Sequence, residues 1–127
     1  MRVLCCGDRN WTDRRKIRRA LHALYKADPN AIIVHGGCRG ADRLAGEIAQ
    51  GLGFQVEVYA ANWQRYGRGA GVVRNQEMIN ESAVRAASDH HPLLCALAFH
   101  ANLAESRGTA DMVGRLHKHG IPVQVIE

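Results

Sequence analysis

Aromatic side chains are scarce in this sequence: two Trp, three Tyr and two Phe make up 6% of 127 residues. A chain so poor in aromatics has little with which to stack successive bases, so an aromatic nucleic-acid platform is not expected. No apolar run approaches the roughly 20 residues that span a bilayer. Met1-Arg2 passes straight into Val3-Leu4-Cys5-Cys6, which leaves no room for a secretory leader, and the expectation is a cytoplasmic protein without membrane contact. The four cysteines contain no CxxC pair, which argues against a zinc ribbon or a thioredoxin-type site. Cys5 and Cys6 alternate faces of a strand and, like Cys95, are expected to be reduced and packed as small hydrophobes. Cys38 is the exception, because a helix N-terminus and Arg39 would favour its thiolate. The seven histidines form no evident metal set: His90-His91 lack a nearby third ligand, and His117 and His119 sit where a helix C-terminus favours a cation anyway. No metal or other cofactor is expected. No repeat, low-complexity tract or linker interrupts the chain, and residues 1–127 suit one domain.

What the sequence does contain is ordinary for a soluble globular protein, with 46% hydrophobic and 23% charged residues. The net charge is +5. Part of that excess is Arg14, Arg15, Lys16, Arg18 and Arg19 on one predicted helix. Such a stripe is either a solvated face or the electrostatic footprint of a nucleic-acid surface.

Strand and helix signals alternate throughout. Residues 3–6 read as a first strand, and Thr12 is the expected N-cap of a helix with Asp13 in its first turn. Ile17, Ala20, Leu21 and Leu24 recur on one face of that helix. Residues 31–34 form a second strand, and Leu44, Ala45, Ile48, Ala49 and Leu52 mark a second helix closed by Gly53 at C′. Residues 54–59 alternate as an edge strand would. Residues 60–71 read as a long polar loop, residues 70–81 as a third helix and 88–92 as a turn. Residues 93–99 are apolar on both faces, as a central parallel strand should be. A helix over 109–119 turns Met112, Val113 and Leu116 inward and ends at Gly120, and residues 122–126 supply the last strand. Right-handed crossovers then predict a Rossmann-like three-layer α/β/α fold with a five-stranded, mainly parallel sheet in the order 3-2-1-4-5.

Two glycine-rich turns stand where strands hand over to helices: Val34-His35-Gly36-Gly37-Cys38-Arg39-Gly40-Ala41-Asp42 and Ser106-Arg107-Gly108-Thr109-Ala110-Asp111. Glycine lets backbone N–H groups approach a ligand, the following helix adds its positive end, and an arginine in each turn adds a fork of donors. Together they point to a phosphate-bearing small molecule. The strand order places the crevice between strands one and four, bringing Gly7-Asp8-Arg9 beside Arg107-Gly108-Thr109 with Gly36-Gly37 flanking. Each candidate also has a scaffold reading. Gly36, Gly37 and Gly40 would serve a tight turn alone, and Arg9 and Arg107 would serve as surface charges. Asp42 would serve as a first-turn dipole partner, His35 as a buttress, Trp63 as loop packing, and Arg74 and Asn75 as solvated helix residues.

The chain resembles a known family in five motifs taken in order: Gly7-Asp8-Arg9…Trp11, His35 through Asp42, Ala61-Asn62-Trp63, Ala70-Gly71…Arg74-Asn75, and Gly108-Thr109-Ala110-Asp111-Met112. Together they are similar to the DUF2493 family of the SLOG superfamily, which includes LOG-type cytokinin-activating phosphoribohydrolases and the Rossmann domain of DNA-processing protein A. The resemblance implies a modified Rossmann fold that binds a nucleotide, a nucleoside phosphate or an ADP-ribose-like signal as a sensor or sequestering protein. It adds Asn62, Trp63, Arg74 and Asn75 to the ligand-binding candidates, and a homo-oligomer, most simply a dimer through residues 70–81. LOG-type enzymes carry a PGGxGTxxE turn whose glutamate serves N-glycosidic hydrolysis. Here Met112 holds that position, and Asp111, one residue earlier, is rotated by about 100° on a helix. Hydrolysis of a nucleoside monophosphate would therefore need Asp8, Asp42 or Glu77 instead. Nucleic-acid binding, by similarity to the DNA-processing relative and from the basic helix, is the third reading.

Overall fold

The computed structural model describes residues 1–127. Its strands are β1 (Arg2–Gly7), β2 (Ile32–His35), β3 (Gln55–Val58), β4 (Leu93–Phe99) and β5 (Val123–Ile126). They form one sheet in the order β3-β2-β1-β4-β5, and every pairing is parallel. The predicted order and Rossmann-like architecture are both present.

The alternation of side chains along β1 decides the layering. Val3 and Cys5 pack with α1 (Arg14–Ala27) and α2 (Ala41–Leu52) through Ile17, Leu21, Ala45 and Ile48. Leu4 and Cys6 point the other way, against Met78 and Ile79 of α4 (Ala70–Asp89) and Met112 and Leu116 of α5 (Gly108–Lys118). Two cores thus sandwich the sheet, and no helix is long and apolar enough to cross a membrane.

Several local expectations are corrected. The N-cap of α1 is Asp13, not Thr12: a capping oxygen must reach the third residue onward, and Asp13 accepts from the Lys16 N–H at 3.2 Å. The polar stretch before residue 70 is not a loop throughout. It contains the one-turn helix α3 (Trp63–Tyr66), capped by Asn62 accepting from the Arg65 N–H at 3.0 Å, and a 3-10 turn at Gly67–Gly69. Helix α4 runs on to Asp89 rather than stopping near 81, since Ala83, Ala86 and Ala87 sustain it. It ends at His90, in the left-handed region with φ 60°. Burial of β4 is confined to its C-terminal half: Ala96 to Phe99 are buried, whereas Leu94 is 52% exposed.

Candidate functional site

At the sheet's C-terminal edge β1 and β4 end side by side, Gly7 opposite Phe99. Their following segments diverge, because β1 leads to α1 on one face while β4 leads to α5 on the other, and a crevice opens between them. Asp8 extends the pairing by donating its N–H to the Phe99 carbonyl at 2.9 Å, and its own carbonyl accepts from Trp11 at 3.1 Å and Ala41 at 3.0 Å. Gly40 completes this junction with φ 77°, where a Cβ would collide with the carbonyl oxygens of Asp8 and Arg9. The first loop and the first glycine turn are thus locked together by backbone.

The resulting cleft holds about 370 Å³. Around it stand Gly7, Asp8, Arg9 and Asn10 from the first loop, Cys38, Arg39 and Asp42 from the first glycine turn, and Arg74, Asn75 and Met78 from α4. His100, Ser106, Arg107, Gly108, Thr109 and Met112 close it from the β4–α5 side, and Cys6 lies at its floor. Four arginines face two carboxylates, so the lining is cationic.

The two glycine turns differ inside. In the first, the seat for an anion is already filled: the Asp42 carboxylate accepts from the Gly36 N–H at 3.0 Å and the Cys38 N–H at 3.4 Å. The Gly37 N–H donates to His35 Nδ1 at 3.0 Å. Burial pushes the Asp42 carboxyl up from 3.8 to about 6, against the opposing pull of Arg74 and the two backbone donors. In the second turn, the Thr109 N–H is held by Ser106 Oγ at 3.0 Å, and a Cβ on Gly108 would meet nothing within 4 Å. The N-terminus of α5, eleven residues long, therefore opens onto the cleft.

Arg74 reaches from α4 beneath the first turn, where a side chain on Gly36 would run into its guanidinium. It donates to the Gly36 carbonyl at 2.6 Å, to Asn75 Oδ1 at 3.1 Å and to Cys38 Sγ at 3.5 Å. None of these partners is a carboxylate, although the side chain is buried. Asn75 bridges onward to the Gly108 carbonyl at 3.4 Å and to Asp111 at 3.0 Å. Burial would raise the Asp111 carboxyl, but the hydrogen bonds from Arg115 and Asn75 hold it below its ordinary value. Asp111 is thereby tied to α4 and α5 outside the cleft, while the Met112 thioether, 1% exposed, lines it.

Of the residues singled out in the sequence, Gly7, Asp8, Arg9, Arg39, Asp42, Arg74, Asn75, Arg107, Gly108 and Thr109 come together around this cleft. Gly36, Gly37 and Trp63 line a shallower recess that shares Arg9, Cys38, Arg39 and Arg74 with it. The Trp63 ring is 51% exposed there, with the Arg9 guanidinium 6.0 Å from its centroid. Gly40 faces a third groove with Arg9 and Arg39. Three residues lie elsewhere. His35 is buried under α2, its proton affinity lowered by burial and by Arg74; Asn62 caps α3; Glu77 is exposed on α4 and away from the cleft.

Asn10, His100 and Ser106 line the cleft without having been singled out. Ser106 carried a readable signal, a hydroxyl three residues before Thr109 at capping distance. His100 carried none. Its Nδ1 accepts from the Asn102 N–H at 3.0 Å, which leaves Nε2 as the nitrogen free to carry a proton.

Residues 1–66 match the model of the YspA, cpYpsA-related SLOG family. The gene 61 protein of Mycobacterium phage D29 is 41% identical over 128 residues, which cover 96% of this chain and 93% of the phage protein. No solved structure matches the chain.

Proposed function

The chain belongs to the YspA, cpYpsA-related SLOG family, and from that premise we propose that its cleft binds a nucleoside phosphate and acts as a sensor or sequestering site rather than as a hydrolase. The finer likeness to DUF2493 rests on all five motifs together, of which Ala70-Gly71…Arg74-Asn75 and residues 108–112 lie beyond the matched segment. One observation carries the reading: at the β1–β4 crossing point the N-terminus of α5, its Thr109 amide capped by Ser106 but Gly108 open to the cleft, faces Arg9, Arg39, Arg74 and Arg107. The phosphate belongs at Gly108 on the second turn, because Asp42 and His35 already take the Gly36, Cys38 and Gly37 amides of the first and Ser106 takes that of Thr109. Arg39 is what the first turn contributes to the anion. The exposed Trp63 ring in the adjoining recess suits the base of a nucleotide or of an ADP-ribose-like molecule. A thermal-shift series over nucleoside mono- and diphosphates and ADP-ribose tests this. A ligand at a hundred times its Kd stabilises by about 2.7 kcal/mol, and no shift with any phosphorylated compound would end the proposal.

Asp8, whose carboxylate borders the cleft, favours a second reading as a phosphoribohydrolase. Against it, Met112 can neither move a proton nor stabilise an oxocarbenium ion. Incubation with nucleoside monophosphates is expected to release no free base; release abolished by Asp8→Asn would establish the enzyme.

Self-association belongs to the same proposal. Val72 on α4 is 44% exposed, close in sequence to the exposed Trp63 and Tyr66, and a two-fold dimer through residues 70–81 would cover it. Arg74 and Asn75 would not serve a partner's pocket, since both are buried in their own chain. Light scattering that returns a monomer with and without ligand would remove the dimer.

A further inference from the structure

The cleft does not end at its own rim. Arg9, Asn10 and Arg39 also line a shallow groove that runs past Thr12 to Arg14, and no carboxylate lines that groove. Arg14 is where α1 begins. In a parallel sheet with right-handed crossovers the helix starts at the carboxyl edge, so this face leads directly away from the cleft.

Beyond Arg14, the outer face of α1 carries Arg15, Arg18, Arg19 and His22 at i, i+3, i+4 and i+7, and these four side chains alone line a depression. Neighbours at this spacing lie on one face of a helix. Arg14 pairs with Glu47 at 3.1 Å, but both side chains are more than half exposed and such a pair is weak. The other four have no carboxylate partner. From Arg14 to His22 the track covers about 12 Å of helix.

Resting on the nucleotide reading of the cleft, we propose that the ligand is the terminal nucleotide of a single-stranded nucleic acid, whose backbone leaves through the Arg9–Arg39–Arg14 groove and follows the arginine stripe of α1. A cleft of about 370 Å³ suits one nucleotide and excludes a duplex. The stripe has no apolar side chain to enter a bilayer and no Phe, Tyr or Trp to stack on, so it holds phosphates and reads no sequence. Forked guanidinium donors fit those phosphates. Trp63, in the adjoining recess with the Arg9 guanidinium 6.0 Å from its ring centroid, is left for the terminal base.

Anisotropy or calorimetry with 5′-phosphorylated homo-oligomers of one to eight nucleotides, in DNA and RNA, tests the track. Affinity should rise at least tenfold from one nucleotide to about four, at the low end of single-strand site sizes, and then level off. The log–log salt slope of the longer oligomers should exceed that of the mononucleotide by about 2, for the three arginines beyond Arg14. The double variant Arg18→Glu with Arg19→Glu should lose the gain with length and keep mononucleotide binding unchanged. If mononucleotides bind and length adds nothing, or the double variant keeps the gain, the track is overturned and the nucleotide cleft stands. If no length binds, the cleft reading itself fails. If oligomers bind but filling the cleft with Gly108→Leu leaves them unaffected, the terminal placement is overturned.

Discussion

Two buried arginines stand at opposite ends of the same sheet, and they are held in opposite ways. Arg2, at the amino end of β1, is 1% exposed and uses all five of its N–H donors. It bonds Glu57 at 2.8 and 2.9 Å, Asp89 at 2.6 and 3.0 Å and the His91 carbonyl at 2.8 Å. Those hydrogen bonds raise the guanidinium's proton affinity further and pull Asp89 down to about 2. Arg74, at the carboxyl end, is 7% exposed and bonds a carbonyl, an amide and a thiol. The first is a neutralised pin joining β1, β3 and the end of α4. The second remains a cation facing a cleft. A fold that gives one buried arginine two bonded carboxylates and the other only the unbonded pull of Asp42 leaves the second with charge to offer something outside the chain.

The sharpest break in this comparison is Arg2→Met against Arg74→Met. Removing Arg2 strands the nearly buried Glu57 with a single partner, the half-exposed Arg85, and should cost about 3 kcal/mol in denaturant unfolding. Removing Arg74 breaks no salt bridge, although Asp42 loses its opposing charge, and should cost about 1 to 2 kcal/mol, while weakening phosphate ligands tenfold or more. Equal losses of stability with unchanged binding would erase the distinction.

Gly108→Leu sharpens it from the ligand's side. The new side chain extends into open space at the first position of α5, so the melting temperature should hold or rise slightly while ligand-induced shifts disappear.

Asp42→Asn probes the internal anion of the first turn. The folded carboxyl titrates near 6, above its ordinary 3.8, so the folded state favours the protonated form. The associated stability is fully present below about 3.8 and is lost as pH rises through 6, on the order of 3 kcal/mol. Melting curves between pH 4 and 7 should show that fall in the parent and not in the variant. The amide oxygen can still accept from Gly36 and Cys38. With its negative charge gone, the cleft should also bind anions several-fold more tightly at neutral pH. A parent whose stability is flat across that range would refute the assignment.

Arg107→Ala should give the smallest effect. This residue is exposed, and its loss should weaken phosphate binding severalfold, more at low salt than at high, with no change in unfolding.

Local periodicity made much of this legible. The two-residue alternation of β1 sends Cys5 and Cys6 to different cores, as read from the sequence, and the apolar face of α1 is Ile17 and Leu21 as expected. Errors fell where a short-range competitor was invisible to periodicity. Asp13 took the cap from Thr12 by a difference of one residue in reach, and the one-turn helix α3 that Asn62 caps lies inside a polar stretch with no periodicity to mark it.

Strand–helix alternation and chirality were enough, by themselves, to determine the sheet order and the edge at which the glycine turns meet, because crossover handedness leaves few ways to connect such elements. That Met112 stands where LOG-type enzymes carry a glutamate came from the resemblance alone, not from the alternation. Only the tertiary structure decided which polar groups are spent on the protein itself. That Asp42 fills the first turn, that Arg74 lies beneath it, and that Arg2 reaches Glu57 and Asp89 across 55 and 87 residues of chain are matters of distance in space. A one-dimensional pattern records which face a residue occupies. It holds no term for which distant partner arrives there, and hydrogen bonds and charges are satisfied by partners.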